Sequence, residues 1–254
     1  MHWVCRRGPI LVRILGTPSP RLLVVPALLA ALAVAAGCAP KSRDLQPGLY
    51  HAVVELPGGT VPFGIDVATE KTGIALYLVN GEGRVRASSV KAVPGVLTAA
   101  LPGKGNILKA GISGDELNGE ITLVDADGGK SVLPLSAVRG QDWRFVEEPR
   151  SDNADFSGRW SIEFTDDAGE RIAGVAEFAQ SFHVVTGSVR TADRELSLVG
   201  DADDEELRLS LFDGQQVVLY KGRLDERGDL VGERWGTATG HARYTAIRNP
   251  DATL

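Results

Sequence analysis

The sequence predicts an all-β fold built as two tandem antiparallel, barrel-like domains of up-and-down strands. Three observations carry that expectation. First, from Gly48 onward apolar and polar residues alternate at period two in runs such as "YHAVVEL", "IALYLVN", "EITLVDADGGKSVLPL", "RWSIEF" and "LRLSLF", with no sustained helical period. Second, Asn80-Gly81, Asp127-Gly128 and Asp213-Gly214 separate such runs, and these dipeptides accept the positive φ of tight hairpin turns. Third, the chain repeats at an offset of 110 residues, so that Gly48, Tyr50, Ala52, Val54, Gly59 and Gly64 overlay Gly158, Trp160, Ile162, Phe164, Gly169 and Gly174. Consecutive hairpins favour a meander that curls or closes, because closure removes exposed strand edges. A pair of β-sandwiches is the alternative architecture.

The first 37 residues read as an export signal. Arg6, Arg7, Arg13 and Arg21 stand without a carboxylate before the apolar run Leu22 to Ala36. Fifteen helical residues reach roughly 22 Å, short of the roughly 30 Å hydrocarbon core, and Pro26 interrupts the run. A secretory signal fits that length better than a membrane span. Gly8 and Pro9 directly follow Arg6-Arg7, which argues against twin-arginine export. Ala35, Ala36 and Gly37 before Cys38 resemble the bacterial lipobox, whose cysteine thiol receives a diacylglyceryl group and becomes the new N-terminus. An ordinary signal cut at small residues is the bland alternative. With acyl chains on Cys38, each buried methylene contributes about 0.8 kcal/mol, enough for membrane attachment without a basic patch. Residues 38–47, "CAPKSRDLQP", then form a tether.

The two repeats follow. Domain 1 spans 48–146 and domain 2 spans 156–249, each with room for about eight short strands. Between them, 147–155 ("EEPRSDNAD") is rich in Pro, Ser, Asn and charge and reads as a linker. Strand alternation sends Tyr50, Ala52, Val54 and Leu56 inward in one domain, and Trp160, Ile162 and Phe164 inward in the other. "LTAAL" (Leu97 to Leu101) overlays "LRLSL" (Leu207 to Leu211), and "ELNGE" (Glu116 to Glu120) overlays "DLVGE" (Asp229 to Glu233) after an insertion of three.

Charge and cysteine content bound the chemistry. Removing residues 1–37 takes four arginines, leaving 23 basic against 33 acidic side chains. An acidic body without a basic stripe argues against nucleic acid, whose phosphates need a dense cationic surface. Apart from Cys5 in the signal, Cys38 is the only cysteine, so an acylated Cys38 leaves no thiol for a disulfide, a nucleophile or a metal. His51, His183 and His241 show no metal-ligand spacing with one another or with carboxylates and read as surface strand residues. "GISG" (Gly111 to Gly114) falls short of a nucleophile elbow and reads as a hairpin. "DADGG" (Asp125 to Gly129) and "DADDEE" (Asp201 to Glu206) lack the length and flanking helices of a calcium loop and read as solvated turns. Trp143, Trp160, Trp235, Tyr220 and Tyr244 read as interior filling more than as the floor of a ligand cavity. No catalytic residue, cofactor or metal site is expected.

The lipobox, "GLYHAVVELPGGTVPFGIDV", "LYLVNGEGRVRASSV", "GRWSIEFTDDAGE", "LSLFDGQQVVLYKGRL" and "TAIRNPDATL" together resemble the β-rich N-terminal region of TlpA-like redoxin lipoproteins. In that family a thioredoxin-fold domain with a CxxC motif follows the β region and exchanges thiols with disulfides in the periplasm. No CxxC occurs here, so that activity transfers to no residue of this sequence. The resemblance implies a lipid-anchored periplasmic, non-catalytic recognition module. It could be the accessory part of a truncated or split redoxin whose partner is that redoxin. Two further readings stay open: a ligand carrier or enzyme using a barrel cavity, and a structural envelope lipoprotein. Ala39 after the cysteine is not the aspartate that sorting rules associate with inner-membrane retention, which points to the outer membrane.

Mass spectrometry of the membrane fraction tests the Cys38 reading. The expected species begins at an acylated Cys38; an unmodified Cys38 peptide, or an intact Leu22 to Gly37 segment, overturns it.

Overall fold

Alternation in the first strand sets the pattern for the molecule. In β1 (Gly48–Leu56) Tyr50, Ala52 and Val54 are fully buried, while His51, Val53 and Glu55 face away. Leu56 is partly buried at the margin of the same core. The same phase recurs in β10 (Gly158–Asp166), where Trp160, Ile162 and Phe164 are buried. The equivalence reaches the hydrogen bonds: Tyr50 Oη donates to the Gln46 carbonyl (2.8 Å) and Trp160 Nε1 to the Phe156 carbonyl (3.1 Å), each four residues upstream. Both rings therefore bury an apolar body with its one polar atom satisfied.

The computed structural model describes residues 41–254, all of which belong to one compact unit. No helix occurs among them, and their strands form two antiparallel sheets. The first contains β1, β2 (Gly59–Glu70), β3 (Gly73–Asn80), β4 (Gly83–Arg86), β5 (Ser89–Val93), β6 (Val96–Ala100), β7 (Ile107–Ser113), β8 (Glu116–Val124) and β9 (Lys130–Arg139). The second contains β10, β11 (Arg171–Ser181), β12 (Val184–Thr191), β13 (Glu195–Asp203), β14 (Glu206–Phe212), β15 (Val217–Leu224), β16 (Leu230–Gly236) and β17 (Gly240–Arg248). The second sheet closes as an eight-stranded barrel, with β10 paired to β17 from Trp160↔Arg248 to Asp166↔Ala242. The first is a curled nine-stranded sheet ordered β4-β3-β2-β1-β9-β8-β7-β6-β5. The architecture is thus barrel-like in both repeats, and the sandwich alternative does not describe it.

The repeats differ at one strand. In the second repeat β13 pairs with β12 on one side and β14 on the other. Its counterpart in the first repeat is divided: β4 pairs only with β3, and β5 only with β6. The changeover lies at Ala87-Ser88, where the Ala87 amide bonds to the Leu76 carbonyl and the Ser88 amide to the Ala100 carbonyl, both at 2.9 Å. β6 ends at Ala100, two residues before Pro102, and a proline offers no N–H with which to extend pairing alongside β4.

The second barrel packs onto the interior of the first sheet behind that break. The turn between β14 and β15 carries Gly214 at φ +84°, and a Cβ there would stand 2.6 Å from Pro102 Cδ and 2.8 Å from Leu78 Cδ1. Asn106, 3% exposed, donates from Nδ2 to the carbonyls of Pro102 (2.7 Å) and Gly214 (2.9 Å), and its Oδ1 accepts the Val124 amide (2.8 Å). Phe212 meets Phe63 with ring centroids 4.5 Å apart, and Phe212, Val217 and Leu219 belong to the core of the first sheet. A second contact joins Gly58, in the β1–β2 turn, to Trp235: Gly58 lies so close to the indole that any Cβ would overlap it. Lys221 Nζ donates to the Gly58 carbonyl at 2.6 Å.

The chain entering the first sheet is docked as well. Within the segment read as a tether, Leu45 is buried in the first core, and the carbonyls of Ser42 and Arg43 accept the amides of Gly114 (2.7 Å) and Gly95 (2.6 Å).

Replacing Trp160 by Ala should cost about 3–5 kcal/mol, through lost burial and the cavity left behind. Denaturant unfolding checks this; a loss below about 1 kcal/mol would contradict the packing of Trp160 described here.

Candidate functional site

The two sheets meet along a seam, and the chain between them crosses it. Residues 141–146 run over the outer face of β1, so that His51, which points out of the first sheet, is covered. Its Nε2 donates to the Arg144 carbonyl (3.1 Å), and its ring lies 4.2 Å from that of Trp143. The surface-histidine expectation is corrected here: His51 is half-buried. With Nε2 engaged as a donor, the neutral ring offers Nδ1 as an acceptor. Burial lowers the His51 pKa, more than the bond to the Arg144 carbonyl raises it, and the Arg144 charge lowers it further.

Arg144 pins the strap to both sheets. Its Nη2 donates to Asn80 Oδ1 (2.6 Å) on the first sheet and to Ser210 Oγ (2.8 Å) on the second, and Ser210 Oγ in turn donates to the Pro62 carbonyl (3.2 Å). Burial pulls the guanidinium pKa down to about 10, partly opposed by the charge of Asp201, so it stays protonated at neutral pH. Asp201, 2% exposed, accepts the amides of Phe145 (2.8 Å) and Val146 (3.1 Å) through Oδ2. The first residue of "DADDEE" is therefore a strap anchor and not part of a solvated turn, because β13 ends only at Asp203.

Between the strap and the two sheets lies a cleft of about 260 Å³. Leu49, Phe63, Val79, Val184 and Val199 supply its apolar wall; His51, Trp143, Arg144, His183 and Asp201 supply its polar groups. Trp143 Nε1 and Arg144 Nε are closed off from solvent without a hydrogen-bond partner among the described residues. Such groups carry a desolvation cost, which functional clefts commonly retain. Beside the cleft, Phe182 stands 86% exposed at φ +56°, a conformation rare for a bulky side chain, next to the half-buried His183.

Other sequence candidates are placed elsewhere. Cys38 lies outside the described residues. Asp125 Oδ1 accepts the amides of Asp127 (3.1 Å) and Gly129 (2.6 Å), so "DADGG" is a self-satisfied β8–β9 turn. Gly114 lies in the β7–β8 hairpin. No group of three or more His, Cys, Asp or Glu side chains that could hold a metal occurs among the described residues. His241 meets carboxylates that sequence spacing did not reveal: its Nδ1 lies 2.7 Å from Asp167, 74 residues away, and its Nε2 lies 3.6 Å from Glu233. Trp235 stacks on the His241 ring at 5.4 Å.

The interior of the second barrel is filled. Phe164, Tyr220 and Tyr244 pack with centroids 5.7–6.1 Å apart, and the Arg234 guanidinium lies 4.7 Å from the Phe164 ring. Burial pushes the Tyr220 pKa up to about 12 and raises that of Tyr244 further. In the sequence Trp143 and Arg144 are marked only by an aromatic, basic "WRF" (Trp143 to Phe145) that ends one residue before the polar linker.

No protein-family model matches the chain, and no curated protein matches it. Among solved structures, it is similar to a protein of unknown function from the DUF3598 family of Nostoc punctiforme, at 13% identity and a TM-score of 0.28 over 80% of this chain and 96% of that one.

His51 makes the seam sensitive to pH. Its folded pKa lies below the ordinary value of 6.5, so below that pH the unfolded chain binds more protons and stability falls as pH falls through the folded pKa. Denaturation midpoints measured between about pH 7 and about pH 5 should decline in the parent protein. The decline should flatten in His51→Asn, and an unchanged slope would contradict the assignment.

Proposed function

We propose that the protein is a lipid-anchored, non-catalytic recognition module of the bacterial cell envelope, held at the periplasmic face of the outer membrane through Cys38. The seam cleft carries the recognition half of this reading. It is a pocket between two sheets locked together, lined by the polar residues His51, Trp143, Arg144, His183 and Asp201 among apolar side chains. Pockets of that make-up, mostly apolar with a few convergent polar groups, are where proteins bind ligands. The lipobox around Cys38 and the resemblance to TlpA-like lipoproteins support the compartment, and a periplasmic redoxin is the partner that resemblance suggests. Residues 39–254 contain no cysteine, so thiol chemistry would have to come from such a partner. The filled second barrel gives the cavity-carrier alternative less support than the seam.

In-cell photo-crosslinking of the full chain tests the reading. A benzophenone amino acid at Asp142, which lines the cleft, should yield a discrete adduct whose mass identifies the ligand or partner. The same group at exposed Thr245 serves as the control. No adduct at Asp142 beyond that control would remove the support for recognition at the seam.

A further inference from the structure

Topology gathers four chain segments at one end of the first sheet. Its strands run alternately up and down, so the start of β1 shares an end with the β2–β3, β5–β6 and β7–β8 turns. The segment entering there is fastened across that end. Besides the bonds from Gly95 to Arg43 and from Gly114 to Ser42, Lys41 Nζ pairs with Glu116 at 2.7 Å.

The surface around it combines exposed apolar side chains with cations. Val93 and Val96 flank the Pro94-Gly95 turn at 45% and 48% exposure, and Ile74, near Lys71, is 39% exposed. The Arg43 guanidinium lies over Gly95, and neither Arg43 nor Lys71 forms an ion pair among the described residues. Of the carboxylates nearby, Asp115 pairs with Arg139 (2.6 Å), Glu116 with Lys41 (2.7 Å) and Glu70 with Arg86 (2.8 Å), while exposed Asp44, next to Arg43 in the chain, forms no ion pair among the described residues. Covalent reach then decides what this end can face. Two residues separate Cys38 from Lys41, and the three Cα–Cα steps of about 3.8 Å span at most about 11 Å.

We infer that this end of the first sheet is the membrane-facing surface, with the Val93–Val96 turn and Ile74 set among lipid headgroups and with Arg43 and Lys71 on phosphate oxygens. The inference rests on Cys38 being the lipid anchor. A slack tether would let the body turn freely; a segment docked from Lys41 onward does not. Exposed apolar side chains lose water at the bilayer interface, and the two cations sit where anionic phospholipid attracts them.

The orientation can be tested apart from cellular lipidation. In residues 38–254 Cys38 is the only cysteine, so its thiol can be coupled to a maleimide lipid in nanodiscs containing phosphatidylglycerol and a nitroxide-headgroup lipid. Amide resonances of 71–74 and of Val93, Gly95 and Val96 should lose most of their intensity, while those of the Asp213-Gly214 turn, at the opposite end, should keep theirs. A Gly/Ser insertion of about ten residues before Lys41 should weaken and even out the effect. Val93→Ser with Val96→Ser should reduce it while leaving the remaining amide spectrum in place. Uniform broadening with the parent tether, or broadening centred on another face, overturns the orientation. An unmodified Cys38 in the cell overturns the anchor instead.

Discussion

A curled sheet that does not close leaves part of its apolar interior open, and in this protein covering that interior couples the two repeats. β6 stops short of Pro102, so β4 has no neighbour on one side and stays exposed along its length. Apolar side chains behind such a break gain from being removed from water. The second barrel answers with the β14–β15 turn, which closes over Leu78 and Pro102 and exchanges a hydrogen bond with Asn106. Divergence at one strand thereby turns two similar sheets into a plug and its socket. Phe212, Val217 and Leu219 show the result, being strands of the second sheet yet part of the first core.

Once the sheets are fixed by that turn and by the Gly58–Trp235 contact, the segment joining them has a defined path. It carries a cation and two aromatic rings into the groove, and each is held by a different element. Arg144 reaches Asn80 and Ser210, the Phe145 amide reaches Asp201, and Trp143 covers His51. Removing one member of such a half-buried polar set leaves its partners desolvated and unsatisfied, which is costlier than never having had them. A binding cleft can keep that arrangement because the sheets on either side hold its shape.

The two ends of the first sheet have different tasks. The end with the β6–β7 turn receives the plug from the second barrel. The opposite end receives the chain from Lys41 to Gln46, which fills it with Leu45 and ties down two turns. The seam cleft lies on the outer wall, so the proposed ligand recognition and the proposed membrane contact need not compete for surface.

What the sequence determined by itself is local or repeated. Alternation at Tyr50, Ala52 and Val54 shows their inward face because the side-chain period of a strand is two wherever it lies. The 110-residue offset matched Tyr50 to Trp160 because equivalent positions in two copies of one fold meet the same environment. The turn dipeptides were legible because positive φ is a property of single residues. The tertiary structure alone decided the opening of the first sheet, since the effect of Pro102 depends on which strand would have paired beyond it. It also decided the strap, the half-burial of His51, and the meeting of His241 with Asp167, because each joins residues far apart in sequence that barrel curvature brings together. Asp201 illustrates the divide: read along the chain it is one of five carboxylates in a polar run, and only the folded chain shows it sealed beneath Phe145 and Val146.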